Sequence, residues 1–397
     1  MKEENRRYAE EAFEIVEHAA KKIGSRLPGS DGEKEYAAYM GDKLRSIGIE
    51  PVREEFAVSP RASIGGIPYA GYLGLIMSAL VYVALHLSAV WYGMALASVV
   101  CWVWLILSVF LYKTWFDMFF KQEISQNTYG ELLPPDGKYD YTIILSGHTD
   151  TSWCWRHSAH ASKFKKTKPA MGLVATFAKV GFGVICFLFL TAVSIAMTVI
   201  SSGVYFGEVW ALKIANSASF ANFLFAMHFL PVVTAIGCMF VVMWADPNPR
   251  NASRGAMDNA TGCALSFAVT KYFHDHPEKM PKNCRIIDFN CGSEEAGLRG
   301  SIAFTREHKG EPILENTWNI NIDSVADKDF FEVVIKDDWQ FCRFDTDLEK
   351  MFKDTFNELG IVSKTNGCIH NPVGGCDSTP MTKAGMKSVT FAAQDPT

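Results

Sequence analysis

Two long stretches of the chain carry almost no charged side chains. Residues 62–112 contain no Asp, Glu, Lys or Arg, and residues 180–245 contain only Glu208 and Lys213. The apolar core of a bilayer is about 30 Å thick and a helix rises about 1.5 Å per residue, so each stretch is long enough for two crossings. We therefore predict two hairpins of transmembrane helices, near residues 67–87 and 90–112, and near residues 180–202 and 220–244.

The other segments alternate short apolar runs with amphipathic ones. The pattern predicts helices near residues 6–23, 31–47, 260–275 and 345–359, and strands within residues 49–58, 125–133, 141–147, 284–291, 318–325 and 388–391. This alternation favours an α/β domain with a mixed sheet and helices on both faces. Because a hairpin returns the chain to the side it left, we expect residues 1–60, 113–168 and 246–397 to form one discontinuous domain, with residues 61–112 and 169–245 as inserted hairpins.

Charge and cysteine content narrow the class of protein further. A net charge of −5 argues against a nucleic-acid binder, which usually carries a basic stripe. Lys and Arg residues flank the apolar stretches on the side of the polar segments, whereas the hairpin tips carry only Lys213. This bias predicts a multi-pass membrane protein whose polar domain faces the cytoplasm. Ten cysteines without a CxxC pair are typical of a reducing compartment.

Four short segments place acidic or imidazole side chains directly after a predicted strand or before a predicted helix. They are SGHTDT with His148 and Asp150, GAMDNATG with Asp258, CGSEEAGLRGS with Glu294 and Glu295, and NIDSVAD with Asp323. Each segment alone has an ordinary explanation, such as a surface loop, a helix cap or a solvated helix start. Open α/β sheets gather their sites at strand ends, so the four segments together indicate a site for metal or acid–base chemistry.

These segments resemble the M28 family of dinuclear zinc aminopeptidases. GSEEAGLRGS is the most specific part of the resemblance, followed by MDNATG and GHTD, and GGCDSTPMTKAGMKSVTF is similar to the segment before the family's final strand. The resemblance covers most of the polar segments and neither apolar stretch. It implies a zinc-exopeptidase-like fold with two inserted hairpins, the second of which separates His148 from Asp258.

The resemblance implies a ligand set for two zinc ions. His148 and Asp323 would bind one ion, Glu295 would bind the other, and Asp258 would bridge both. Carboxylate and imidazole ligands would also accept cobalt or manganese.

The resemblance also implies the reaction. Glu294 would be the general base that takes a proton from the attacking water, and Asp150 would orient the imidazole of His148. Together these roles imply an aminopeptidase that hydrolyses the N-terminal bond of peptides. The sequence fixes neither the preferred N-terminal residue nor the oligomeric state.

One ligand of the family has no counterpart in this sequence. The family's fifth ligand is a histidine shortly after the last strand, and here FAAQDPT follows that strand. His370 lies before GGCDSTP and fits a loop residue better than a replacement ligand. Either the sequence stops short of the ligand or the position has been lost. Without that histidine, we expect loss of the second zinc ion and of most activity.

Two other functions stay open at this point. A glutaminyl cyclase on the same fold would use a single zinc ion and no attacking water, and the full dinuclear set argues against it. A non-catalytic membrane protein would keep the fold for binding or scaffolding. The metal content of the purified protein would separate these alternatives.

Overall fold

A computed structural model describes residues 3–154, 169–244, 253–365, 367–371 and 374–394. The chain divides into two compact units. Unit 1 comprises Met1–Ile64, Ser108–Trp153 and Asn248–Pro396, and unit 2 comprises Gly65–Leu107 and Cys154–Pro247. The domain boundaries predicted at residues 168 and 245 lie outside the described residues.

Helices and strands alternate through unit 1, and the described part of unit 2 is helical. The helices are α1 (Glu3–His18), α2 (Asp31–Ser46), α3 (Ile67–Ala84), α4 (Ala89–Trp104), α5 (Pro169–Tyr205), α6 (Val209–Ala215), α7 (Ala218–Ala226), α8 (Leu230–Val242), α9 (Thr261–Asp275), α10 (Arg299–Glu307), α11 (Thr346–Glu358) and α12 (Ser378–Lys383). The strands are β1 (Val52–Val58), β2 (Glu123–Leu132), β3 (Tyr141–His148), β4 (Cys284–Cys291), β5 (Thr317–Val325), β6 (Phe331–Asp337), β7 (Cys342–Arg343), β8 (Cys368–Asn371) and β9 (Lys387–Ala393).

The nine strands form one mixed sheet in unit 1. Their order is β1-β2-β4-β3-β5-β9-β6-β7, with β8 paired to β6. The central strands β4, β3, β5 and β9 run parallel, whereas β1, β2 and β6 join them by antiparallel pairs. Parallel strands bring their C-terminal ends to the same edge of a sheet, which is where α/β folds place their sites.

Helices cover both faces of this sheet, as the sequence predicts. On β4, Ile287 and Phe289 pack with Phe304 of α10 and Met381 of α12. The intervening Asp288 faces the other side, where Ser266 of α9 donates a hydrogen bond to it over 2.8 Å. A strand alternates its side chains between its two faces, so α9 lies opposite α10 and α12.

Three helices of the described chain are long and apolar enough to cross a membrane. They comprise Ile64–Ala84, Ala89–Phe110 and Ala178–Tyr205. The fourth predicted span is not one straight helix, because α7 and α8 meet at a bend of 48° and count as one span only together. Pro231 occupies the first turn of α8. A proline has no backbone N–H and its ring clashes with the preceding turn, so the helix cannot run through this position undisturbed.

Candidate metal centre

His148 ends strand β3 and is 1% exposed. Its Nδ1 lies 3.2 Å from Asp150 Oδ1, and its Nε2 lies 3.0 Å from Asp258 Oδ1. Burial lowers the pKa of His148, but the hydrogen bonds to Asp150 and Asp258 and the negative charges of Glu294 and Asp150 together outweigh it and hold the pKa well above the ordinary value. The imidazole is thus fixed in one orientation by carboxylates on both ring nitrogens.

Two other predicted ligands, Asp258 and Asp323, lie close to His148, which is itself a predicted ligand. Asp323 Oδ1 lies 4.0 Å from His148 Nε2, and the donor atoms of His148, Asp258 and Asp323 all lie within 4.8 Å of one another. Glu294 Oε2 is also 4.0 Å from His148 Nε2. Glu295 is not part of this three-residue group.

Asn259 connects the segment of Asp258 to the strand of Asp323. Its side-chain nitrogen donates to the carbonyl oxygen of Ile322 over 2.9 Å, and its side-chain oxygen accepts from the amide of Gly262 over 2.9 Å. The MDNATG motif therefore supplies both a candidate ligand and the amide that holds it against β5.

Asp150 joins the imidazole to the loop after β4. Besides its contact with His148, it accepts hydrogen bonds from the backbone amides of Glu294, over 3.0 Å to Oδ1, and Glu295, over 2.9 Å to Oδ2. Burial raises the pKa of both glutamates; the charge of His148 opposes this at Glu294, whereas the charge of Asp258 adds to it at Glu295. The two adjacent glutamates are thus held in a fully packed loop and not on a solvated helix start.

Glu33 of α2 is a site residue that the sequence analysis missed. It is fully buried, and its carboxylate accepts from Ser293 N over 2.6 Å, Ser293 Oγ over 2.9 Å, Gly29 N over 2.6 Å and Ser125 Oγ over 3.0 Å. Burial and then the charge of Asp150 raise the pKa of Glu33 to about 8. Ser30 and Glu33 have the spacing of a capping box, which would assign the glutamate to the start of its own helix. Besides its contact at the start of the helix, the side chain of Glu33 binds the loop that carries Glu294.

Arg26 was missed in the same way. Its buried guanidinium donates to the backbone carbonyl oxygens of Thr149 (2.7 Å), Arg254 (2.9 Å), Gly255 (2.9 Å) and Gly24 (3.2 Å). One side chain therefore holds the turn of Asp150 against the turn that precedes Asp258. No periodic or motif signal marks it, because its partners are backbone atoms of distant segments.

Asp377 is the third residue that was missed, although its segment GGCDSTP was recognised. It is fully buried and accepts hydrogen bonds from Cys291 Sγ over 2.7 Å and Ser301 Oγ over 2.6 Å. Burial raises its pKa, and the charge of His148 opposes that rise. The position of Asp377 directly before a helix was the available signal.

The donor set of this centre fits a zinc ion. Imidazole nitrogen with carboxylate oxygen is a usual zinc ligand set, and the half-buried carboxylates of Asp258 and Asp323 are placed beside the buried imidazole of His148. Two atoms that each lie about 2.0–2.2 Å from one zinc ion are at most about 4.4 Å apart. The distances of 3.0 and 4.0 Å from His148 Nε2 to Asp258 and Asp323 are within that limit. These three residues form a partial site, since zinc usually has at least one further ligand.

A known family profile matches the part of the chain that carries most of this site. Residues 239–397 match the sequence profile of Peptidase family M28. The matched segment contains Asp258, Glu294, Glu295 and Asp323, whereas His148 and Asp150 lie before it. No curated protein sequence matches the chain.

Several solved structures are similar to this chain. The chain is similar to a zinc aminopeptidase from Bacillus subtilis with a TM-score of 0.50 and 13% identity, over 98% of this chain and 86% of that chain. It is also similar to an aminopeptidase from Aneurinibacillus sp. strain AM-1 (TM-score 0.47, 11% identity, 98% and 86% covered) and to Bacteroides thetaiotaomicron glutaminyl cyclase (TM-score 0.48, 12% identity, 98% and 85% covered). At 13% identity, the first likeness shows the zinc exopeptidase fold alone.

Proposed function

We propose that this chain is a membrane-anchored, zinc-dependent aminopeptidase, because residues 239–397 match the sequence profile of Peptidase family M28. The observation that carries the proposal is the meeting of His148, Asp258 and Asp323 at one point, with the carboxylate of Glu294 only 4.0 Å from His148 Nε2. Metal-dependent hydrolysis of an amide bond needs a cluster of metal ligands and, beside it, a further carboxylate that can accept a proton.

The ligands of the proposal follow from the residues of the centre. His148, Asp258 and Asp323 would hold one zinc ion, and Glu295 and Asp258 would provide two of the ligands that a second ion needs. When bound, zinc supplies Lewis-acid polarisation of the scissile carbonyl group and lowers the pKa of the attacking water. Asp150 keeps the imidazole oriented and holds the amides of Glu294 and Glu295 in place.

Glu294 moves the proton in this proposal. Its carboxylate takes a proton from water as the water oxygen bonds to the carbonyl carbon of the substrate. The carbon–nitrogen bond then breaks, and Glu294 returns the proton to the leaving amine. A positioned carboxylate of this kind contributes about 10²- to 10⁴-fold to the rate.

The apolar helices support a membrane location for the enzyme. Three described helices are long and apolar enough to span a bilayer, and the pair α7 and α8 supplies a fourth span if it acts as one. The Lys/Arg bias beside them supports a cytoplasmic position for the M28 domain. Resistance of the protein to extraction by alkaline carbonate, and protease accessibility of unit 1 in sealed inside-out vesicles, would test both parts.

The activity is tested with the full chain in detergent, supplied with zinc and a panel of peptides that differ in their N-terminal residue. We expect release of single N-terminal residues from free peptides and none from N-acetylated ones. Glu294→Gln should lower kcat by about 10²- to 10⁴-fold at unchanged zinc content. Glu315→Gln is the control, because Glu315 is exposed.

Three results would contradict the proposal. Loss of ammonia from peptides with N-terminal glutamine, without release of a residue, would favour a glutaminyl cyclase. Zinc binding without turnover of any peptide would remove the catalytic role. No zinc and no turnover would favour a binding or scaffolding protein.

A further inference from the structure

The loop that carries Glu294 and Glu295 is attached to the chain that leaves the first apolar hairpin. Arg299 begins α10 directly after this loop and is 4% exposed. Its Nε donates to the carbonyl oxygen of Ala296 over 3.1 Å, and its Nη2 contacts Asp117 Oδ1 at 3.1 Å. Asp117 lies only seven residues beyond the end of the candidate span Ala89–Phe110.

Tyr112 makes a second attachment from the same segment. Its carbonyl oxygen accepts from Arg299 Nη1 over 3.4 Å. A Cβ built on Gly297 would lie 3.0 Å from ring atom Cδ1 of Tyr112, and one on Gly375 would lie 2.6 Å from Cε2. The ring is thus packed between the Glu294–Glu295 loop and the segment of Asp377, and neither glycine leaves room for a side chain.

The segment that enters the hairpin touches the same loop. The short turn Pro60–Ala62 packs against the turn Glu294–Ala296. Ser63 Oγ donates to the carbonyl oxygen of Ser108 over 3.5 Å and would lie 3.1 Å from a Cβ on Gly297. Both flanks of the first hairpin therefore contact one loop, within unit 1.

The ion pair between Arg299 and Asp117 is largely shielded from solvent and holds the two chain segments in one arrangement. Its side chains are 4% and 16% exposed, so solvent and salt screen it less than a surface pair. Arginine presents a rigid fork of donors, and here the fork binds Asp117, the carbonyl of Tyr112 and the carbonyl of Ala296 at once. Ala296 follows Glu295 directly, so the fork acts one residue from the proposed ligand.

We propose that Tyr112 and the Asp117–Arg299 ion pair are positioning residues that hold the Glu294–Glu295 loop. The segment after the first hairpin is then a structural part of the catalytic centre and not only a membrane anchor. This inference deepens the proposed function and rests on it for the identity of the reaction.

The test is hydrogen–deuterium exchange of the full chain in detergent, read on peptides that cover residues 292–300. The amides of Glu294 and Glu295 donate to Asp150, so their protection reports the order of the loop without any need for activity. Asp117→Asn should speed exchange in this loop by at least tenfold. The matched control is Glu131→Gln, which removes a carboxylate 3.2 Å from Nη1 of Arg285 at the other end of β4 and should leave the loop unchanged.

A second variant and a kinetic readout separate positioning from general stability. Arg299→Lys keeps the charge but loses the fork, and it should show the same faster exchange confined to the loop. If peptides are hydrolysed, both variants should lower kcat at nearly unchanged KM, and Asp117→Glu should restore part of it. Unchanged loop exchange, equal effects of Asp117→Asn and Glu131→Gln, or loss of protection throughout unit 1 in both test variants would overturn the inference. Absence of peptidase activity would overturn the proposed function and leave the exchange result to decide the loop's attachment.

Discussion

Replacement of Arg26 tests whether one buried guanidinium holds the metal centre together. Its four hydrogen bonds reach three separate chain segments, and the side chain is fully buried. Arg26→Met keeps most of the apolar stem and removes every donor. The turns that carry Asp150 and that precede Asp258 would then lose their common partner.

The expected magnitude follows from the number and kind of these bonds. A hydrogen bond to a charged group contributes about 1.5–3 kcal/mol net, so four independent bonds would give roughly 6–12 kcal/mol. They are not independent, because one guanidinium makes all four and its removal also recovers the cost of burying the charge. A buried carbonyl that loses its donor costs about 1–3 kcal/mol, so several of them, less the recovered cost of burying the charge, give about 3–5 kcal/mol. We expect this lower range for Arg26→Met.

The assay is thermal unfolding of the full chain in one detergent at a fixed zinc concentration. For a domain of about 150–250 residues, 1 kcal/mol corresponds to about 2–4 °C, so the Tm should fall by roughly 6–20 °C. Arg45→Met is the control, since Arg45 is exposed on α2 and its ion-pair partners among the described residues, Asp42 and Glu50, are exposed as well. Such surface pairs are worth about 0–1 kcal/mol. Arg26→Lys should behave like Arg26→Met, because one ammonium group cannot span carbonyls from three segments. Equal Tm values for Arg26→Met and Arg45→Met would refute the reasoning, and a native Tm for Arg26→Lys would show that charge alone suffices.

Three further predictions follow from other contacts. Above about pH 8, where Glu33 is ionised, Glu33→Gln places an amide donor among the four donors that bind the carboxylate. It should then cost about 1–3 kcal/mol of stability and weaken zinc binding, whereas Glu35→Gln on the exposed side of α2 should do neither. Unfolding and zinc titration measure both. His308 has Glu311 at 2.6 Å and Glu54 at 2.7 Å. Burial lowers its pKa, but the hydrogen bonds to these carboxylates and their negative charges together raise it by more, so the net shift is upward. The stabilising effect of protonated His308 is therefore complete below the unfolded pKa of about 6.5 and is lost as the pH rises through the higher folded pKa. The Tm difference between the native chain and His308→Gln should thus shrink from pH 5.5 to pH 9. A constant Tm difference would contradict the assignment. Removal of zinc by a chelator should lower the Tm and abolish hydrolysis, and added zinc should restore both. A ligand at a hundredfold excess over its Kd stabilises the folded state by about 2.7 kcal/mol. The Asp323→Asn variant should need more zinc for the same recovery.

The fold and several residues of the site could be predicted from the sequence, because their signals lie in neighbouring residues. Apolar runs predicted the parallel strands β3, β4 and β5, and the residues directly after or within them supplied His148 and Asp323. The strands β6, β7 and β8 and the helices α10 and α12 escaped, because each is short or lacks a clear period. The break between α7 and α8 also escaped, although Pro231 is a local signal for it.

The supporting residues were not accessible in this way. Glu33 has the spacing of a helix cap, and its contact with Ser293 joins positions that are 260 residues apart. Arg26 binds backbone carbonyl groups, which every residue has, so its partners cannot be recognised from the sequence. Asp117 lies in the polar segment that follows the first apolar stretch, and its partner Arg299 lies 182 residues away.

The sequence by itself determined which residues can act as ligands or as a base, since an imidazole or a carboxylate at a strand end has its chemistry wherever the chain places it. Only the tertiary structure decided which of them meet, that His148, Asp258 and Asp323 share one point, and that Arg26, Glu33 and Arg299 hold their segments. The physical reason is that periodicity and motifs are encoded in near neighbours along the chain. Buried hydrogen bonds and ion pairs instead depend on distances between segments, and those distances are set only when the whole sheet is packed.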